Sequence, residues 1–180
     1  IVRDLQPTAT QVLWIGDIYS FVLAGLLITM GNLGDRWGRK RMLLVGGSMF
    51  ALLSIPAAYA QNAETLILMR ALLGVAGATL MPSTLALMRS TFTDDKERSF
   101  AIGVWSAMGA AGAAAGPLFG GILLQHFWWG SVFLVNVPIM ALVLIIGIPT
   151  LRESWDPEPG PLDLISVALS MIGILGVVYA

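Results

Sequence analysis

The stretch that decides the fold is Gly31 to Gly47, "GNLGDRWGRKRMLLVGG". Five of the seven positions from Asp35 to Arg41 are charged, and apolar runs long enough to cross a bilayer lie on either side. A dense charge cluster between two such runs reads as a short connection between membrane-spanning helices. Its basic residues hold that connection on the cytoplasmic face.

The rest of the chain supports this. It has 180 residues, of which 57% are hydrophobic and 12% charged, with a mean hydropathy of +0.81. A soluble domain carries about 25% charged residues. Between Arg98 and Arg152 there is no Asp, Glu, Lys or Arg. Lipid leaves backbone polar groups unsatisfied, and no ten-residue alternating strands are visible, so the spans must be helices. Runs of about 20 residues with at most one charge predict helices at 11–33, 42–62, 65–88, 99–123, 131–151 and 162–180. The fold class is all-α, a polytopic transmembrane bundle. Residues 1–151 form its N-terminal bundle, 152–161 a cytoplasmic linker, and 162–180 a further, truncated helix.

Basic residues fall at every second connection. Arg36, Arg39, Lys40 and Arg41 occupy one, Arg89, Lys96 and Arg98 the next but one, and Arg152 the last. The connections at 61–64 and 125–130 carry no Lys or Arg. Eight of the ten basic residues therefore share the cytoplasmic side, leaving Arg3 in the outer N-terminal segment and Arg70 inside a helix. There is no basic surface for nucleic acid, no cysteine for disulfide or thiolate chemistry, and one histidine, His126, too few for a histidine metal site. No nucleophile–base set, metal cluster or phosphate-binding glycine loop points to an enzyme, and no cofactor is implied.

Topology alone would accept Lys and Arg in any order, but the order here is particular. Gly31 and Gly34 permit close approach of another helix, and Gly38 permits a turn with positive φ. Asp35 sits between two helix ends, where a carboxylate can hold an arginine, with Arg89 and Arg98 available on the same face. Such a connection could latch two bundles together.

At this point the chain resembles the major facilitator superfamily. "GNLGDRWGRK" is similar to its signature between the second and third helices. "LILMRALLGVAGA" resembles the fourth-helix signature, with Arg70 and Gly74 in place, and "GAAGAAAGPLFGG" the fifth-helix antiporter signature. "WIGDIYSFVLAG" and "HFWWGSVFLVNVPI" resemble the fourteen-helix drug:proton antiporter branch. The resemblance implies that this chain covers helices two to seven, with the first helix and the second half outside it. It implies proton-coupled efflux of hydrophobic and quaternary ammonium cations by alternating access. It places the protein in the bacterial inner membrane, a monomer when full length, with lipid, protons and cationic small molecules as partners. Another solute transporter of the superfamily and a non-transporting membrane scaffold remain as alternatives.

Several residues carry that chemistry. Asp17 is the one acid between Gln11 and Gly31, and an intramembrane carboxylate is a functional site by default. It could hold either a proton or the positive charge of a drug. Arg70 is the matching base and could tune a nearby acid, either Asp17 or one in the first helix. Trp14 and Tyr19 read as interfacial anchors. The latch residues are Gly31, Asp35, Arg36, Gly38, Arg39 and Lys40. On the fifth-helix signature, Gly112, Gly116 and Gly120 repeat every four residues beside Pro117 and Gly121. That face suits close, kinked packing at a rocking interface. His126 and the acids Asp94, Asp95 and Glu97 read as solvated surface. Asp163 reads as a dipole-complementing acid at the start of the last helix.

Overall fold

The computed structural model describes residues 2–156 and residue 173. After a short α1 (Val2–Leu5) come α2 (Ala9–Trp37), α3 (Arg39–Ala58), α4 (Ala63–Thr91) and α5 (Asp95–His126). A short α6 (Ser131–Leu134) leads into α7 (Asn136–Thr150). No strand occurs among the described residues. Five stretches are long and apolar enough to cross a membrane: α2, α3, α4, α5 and the α6–α7 pair. These match five of the six expected spans. The sixth, at 162–180, and with it Asp163, lies outside the described residues.

Three of these helices, α2, α4 and α5, run longer than expected, because polar residues cap them instead of interrupting them. Thr8 and Gln11 form a reciprocal capping box at the start of α2, with Gln11 N–H donating to Thr8 Oγ1 at 3.3 Å and Thr8 N–H to Gln11 Oε1 at 2.9 Å. Asn62 caps α4 by accepting from Thr65 N–H at 2.8 Å. Asp94, expected to be solvated, caps α5 by accepting from Lys96 and Glu97 N–H at 2.9 and 3.1 Å. The connection read as a loop at 35–41 shrinks to one residue: Asp35 and Arg36 belong to the last turn of α2, and Arg39 to Arg41 open α3. Gly38 alone is non-helical, at φ 114°. That φ strains any residue with a Cβ.

Glycines set the packing. An added Cβ at Gly74 would lie 2.8 Å from the Tyr19 carbonyl oxygen and 2.9 Å from Val22 Cβ. One at Gly31 would lie 3.4 Å from Pro82 Cβ. Residues 19 and 22 thus face 74, and 31 faces 82, so α2 and α4 run parallel at close range. On the other flank of α4, a Cβ at Gly46 would collide with Thr79 Oγ1, which brings α3 against α4 as its antiparallel neighbour. A hydrophobic cluster of Ile15, Ala57, Ala58, Ala63, Leu66, Leu73 and Phe133 closes one end of the bundle.

The two ends of the bundle agree with the charge pattern. At one end, the uncharged connections meet: the rings of Tyr59 and Trp128 lie 5.8 Å apart, and Gly130 packs against the Ala58 carbonyl. At the other end, three charged connections meet. Ser154 C=O accepts from Arg39 N–H at 2.9 Å, and the hydroxyls of Ser154 and Ser90 lie 3.1 Å apart. α5 differs from the other spans, since it buries none of its residues among those described.

Candidate functional site

Two groups of candidate residues stand at different depths. The first lies where α2 and α4 pass each other near the uncharged end. Arg70, half-buried on α4, donates from Nη2 to the Gly16 carbonyl at 2.9 Å. Its guanidinium carbon lies 5.8 Å from the centre of the Tyr19 ring. Asp17 is the next residue after Gly16. Its side chain is exposed, and its charge acts on Arg70 without forming an ion pair among the described residues. The structure therefore brings Asp17 and Arg70 together, with a backbone carbonyl as the direct link. Such an arrangement leaves the Asp17 carboxylate accessible while a fixed cation stands beside it. Tyr19, expected at the membrane interface, is instead half-buried, with its ring edge-on to Phe50 at 6.4 Å.

The second group is the charged end. Here the expected partners of Asp35 are corrected. Asp35 pairs with Arg39, four residues on and across the Gly38 turn, through Nε at 2.9 Å and Nη2 at 2.8 Å. The one-residue turn at Gly38 puts residues 35 and 39 within reach, and neither Arg89 nor Arg98 pairs with Asp35 among the described residues. Arg98 pairs with Asp95 in the first turn of α5. Arg89 shares a cavity of about 250 Å³ with Gly31, Asp35, Arg39 and Pro82. Arg36 is exposed in the last turn of α2.

The residue that sequence reasoning missed at this end is Glu153. Gly38 precedes α3 and has no side chain to cap it. Glu153 supplies the cap from across the chain, accepting from Lys40 N–H at 3.0 Å and Arg41 N–H at 3.2 Å. The neighbouring Ser154 carbonyl takes Arg39 N–H, and the Gly34 carbonyl takes Gly38 N–H at 3.0 Å. All four initial N–H groups of α3 are thus satisfied. Lys40 Nζ reaches the Ile148 carbonyl at 2.7 Å, and Asp156 N–H donates to the Asp35 carbonyl at 2.8 Å. The segment 152–156 is a strap that ties the α2–α3 turn to the end of α7. The sequence shows only an acid beside Arg152 at the end of a long apolar run, which does not say what that acid caps.

The remaining candidates, on α5, are brought against nothing among the described residues. A Cβ added at Gly112, Gly116, Gly120 or Gly121 would meet no atom within 4 Å. The helix continues unbroken through Pro117. Among the glycines that do serve close packing are Gly46, Gly74 and Gly77, each buried against a neighbouring helix.

Comparison with known proteins agrees with this architecture. Residues 1–178 match the family model for the Major Facilitator Superfamily. The multidrug efflux pump LfrA of Mycolicibacterium smegmatis is 54% identical over 180 residues, covering 100% of this chain and 36% of LfrA. The methyl viologen resistance protein SmvA of Salmonella typhimurium is 47% identical over 176 residues, covering 98% of this chain and 36% of SmvA. The tetracenomycin C resistance and export protein of Streptomyces glaucescens is 40% identical over 170 residues, 94% of this chain and 31% of that protein. The chain thus spans about a third of the length of these relatives. Apolar helices in series, glycine-mediated packing and a family match along nearly the whole chain make this a multi-pass membrane protein of the major facilitator superfamily.

Proposed function

We propose that the parent protein of this chain is a proton-coupled multidrug antiporter of the bacterial inner membrane. It exports hydrophobic and quaternary ammonium cations by alternating access. The observation that carries this reading is the exposed Asp17 carboxylate standing beside Arg70, which is anchored to the Gly16 carbonyl. A carboxylate at that depth is costly unless it is used. It can hold a proton or a cation, but not both, and that competition is what antiport needs. The names of the relatives support the substrate class: LfrA is a multidrug efflux pump, and SmvA confers resistance to methyl viologen, a dication.

The turn around Gly38 and the strap at 152–156 form a cytoplasmic latch. The roles of Gly31, Asp35, Arg36, Arg39 and Lys40 are to shape and hold it. The small-residue face of α5, with Gly112, Gly116, Pro117, Gly120 and Gly121, meets another part of the full-length protein during rocking. The full-length protein acts as a monomer in lipid.

The test uses the full-length parent in everted vesicles with an imposed proton gradient. Mono- and dicationic quaternary ammonium compounds should each release protons, and neutral sugars or organic acids should not. Proton release by a sugar or organic acid and not by the cations would replace this reading with that of another solute transporter.

A further inference from the structure

Arg70 is more constrained than a single hydrogen bond would make it. Its Nη2 is held by Gly16, while its Nε is buried and has no hydrogen-bond partner among the described residues. The guanidinium instead lies over the Tyr19 ring, 5.8 Å from the centroid. The face of an aromatic ring is electrostatically negative and attracts a cation there.

The ring is itself seated. Arg70, Gly74 and Gly77 follow one another along one face of α4, at intervals of one turn. A Cβ at Gly77 would lie 3.0 Å from the Tyr19 hydroxyl and 3.4 Å from its Cε2. A Cβ at Gly74 would press on the Tyr19 backbone. Phe50 of α3 closes the ring from a third helix, edge-on. Two other helices, α3 and α4, therefore converge on one tyrosine of α2, whose ring face is turned to Arg70.

We infer that Tyr19 is the positioning residue for Arg70: its ring, seated in the Gly74–Gly77 notch and backed by Phe50, holds the guanidinium beside Asp17. This rests on the coupling role proposed for Asp17 and Arg70, and it adds the part that fixes their geometry. The titratable groups around Arg70 are Asp17 and Tyr19 from α2. The basic residues of α3, from Arg39 to Arg41, lie at the opposite end of that helix. On α4 itself, Glu64 lies in the first turn and Arg89 in the last.

Two readouts test this in the purified and reconstituted full-length parent, using Tyr19→Phe and Tyr19→Leu. The first is the rate at which phenylglyoxal, a guanidine-directed reagent, modifies Arg70, followed by peptide mass spectrometry. Tyr19→Phe keeps the ring face and should leave the rate within about two-fold. Tyr19→Leu removes it and should raise the rate about three- to thirty-fold, the range for an aromatic cation contact. Tyr19→Leu at the wild-type rate, or Tyr19→Phe as fast as Tyr19→Leu, overturns the proposal. The second readout is the pH profile of cation-driven proton release. In Tyr19→Leu the titrating group loses a well-placed positive neighbour, so the midpoint should move to higher pH. Tyr19→Phe should restore the wild-type profile. A changed labelling rate with an unchanged pH profile upholds Tyr19 as the seat of Arg70 and contradicts the coupling reading, so the two failures are distinct. A Gly77→Ala substitution gives a control on the seat. It should raise Arg70 labelling in the wild-type background and have less effect in the Tyr19→Phe background, where the closest contact is gone. Equal effects in both backgrounds would show that Gly77 does not seat the ring.

Discussion

Replacing Glu153 with alanine removes the cap of a helix whose second residue, Lys40, lies 113 residues earlier in the chain. The two backbone N–H groups of Lys40 and Arg41 would lose their carboxylate acceptors, and Gly38 has no side chain to replace them. Loss of a side-chain cap costs about 0.5–2 kcal/mol. Loss of a negative charge at a helix N-terminus adds about 0.3–1 kcal/mol. The contact between Arg41 Nε and Glu153 Oε2, at 3.6 Å with the arginine mostly exposed, adds little. The sum is about 1–3 kcal/mol, local to the first turn of α3. In the full-length parent, hydrogen exchange at the Lys40 and Arg41 amides should accelerate about 5- to 150-fold, at ten-fold per 1.4 kcal/mol. Amides in the middle of α4 should not change. Glu153→Gln retains one oxygen acceptor and should fall between wild type and Glu153→Ala. Unchanged protection at Lys40 and Arg41 in Glu153→Ala would refute the strap as a cap. Uniform acceleration across the bundle would refute its local character.

Two further perturbations separate packing from function. Gly46→Ala places a methyl group onto Thr79 Oγ1, with the Ala76 carbonyl 3.2 Å away. Overpacking of this kind costs about 1–3 kcal/mol, so the melting temperature in detergent should fall. An unchanged melting temperature would mean that α3 and α4 are not so close. By contrast, Gly112→Ala and Gly120→Ala meet open space among the described residues. They should leave melting unchanged in this chain alone and impair cation-driven proton release in the full-length parent. Normal release by both variants would remove the α5 face from the transport cycle.

Much of the bundle was legible because hydropathy and charge report directly on the bilayer. Long apolar runs with at most one charge gave the five described spans, and the alternation of basic connections gave which ends meet, as Ser90, Arg39 and Ser154 do. What the pattern could not give was the pairing of particular side chains. Asp35 has several arginines within plausible reach, and the one-residue turn at Gly38 decides for Arg39. Glu153 was illegible for a related reason, since its partners are backbone amides far away in sequence. The glycines make the same point. The regular series on α5 stands out in sequence, yet the glycines that bring helices together here include Gly46, Gly74 and Gly77. Spacing marks a smooth helix face, but only the three-dimensional path shows what comes against it. Tyr19 was read as an anchor because an aromatic near a span end usually is one. Its seat is made by residues of two other helices.

The central claim is that Asp17 exchanges a proton for a cation. Substrate-driven proton release by the full-length parent in everted vesicles, compared between wild type and Asp17→Asn, tests it most directly. Wild type should release protons on addition of mono- and dicationic quaternary ammonium compounds. Asp17→Asn should lose that release, or lose it for the dication alone, while remaining present in the membrane at the wild-type level. Normal release by Asp17→Asn with both compounds would contradict the account and place the coupling acid outside this chain.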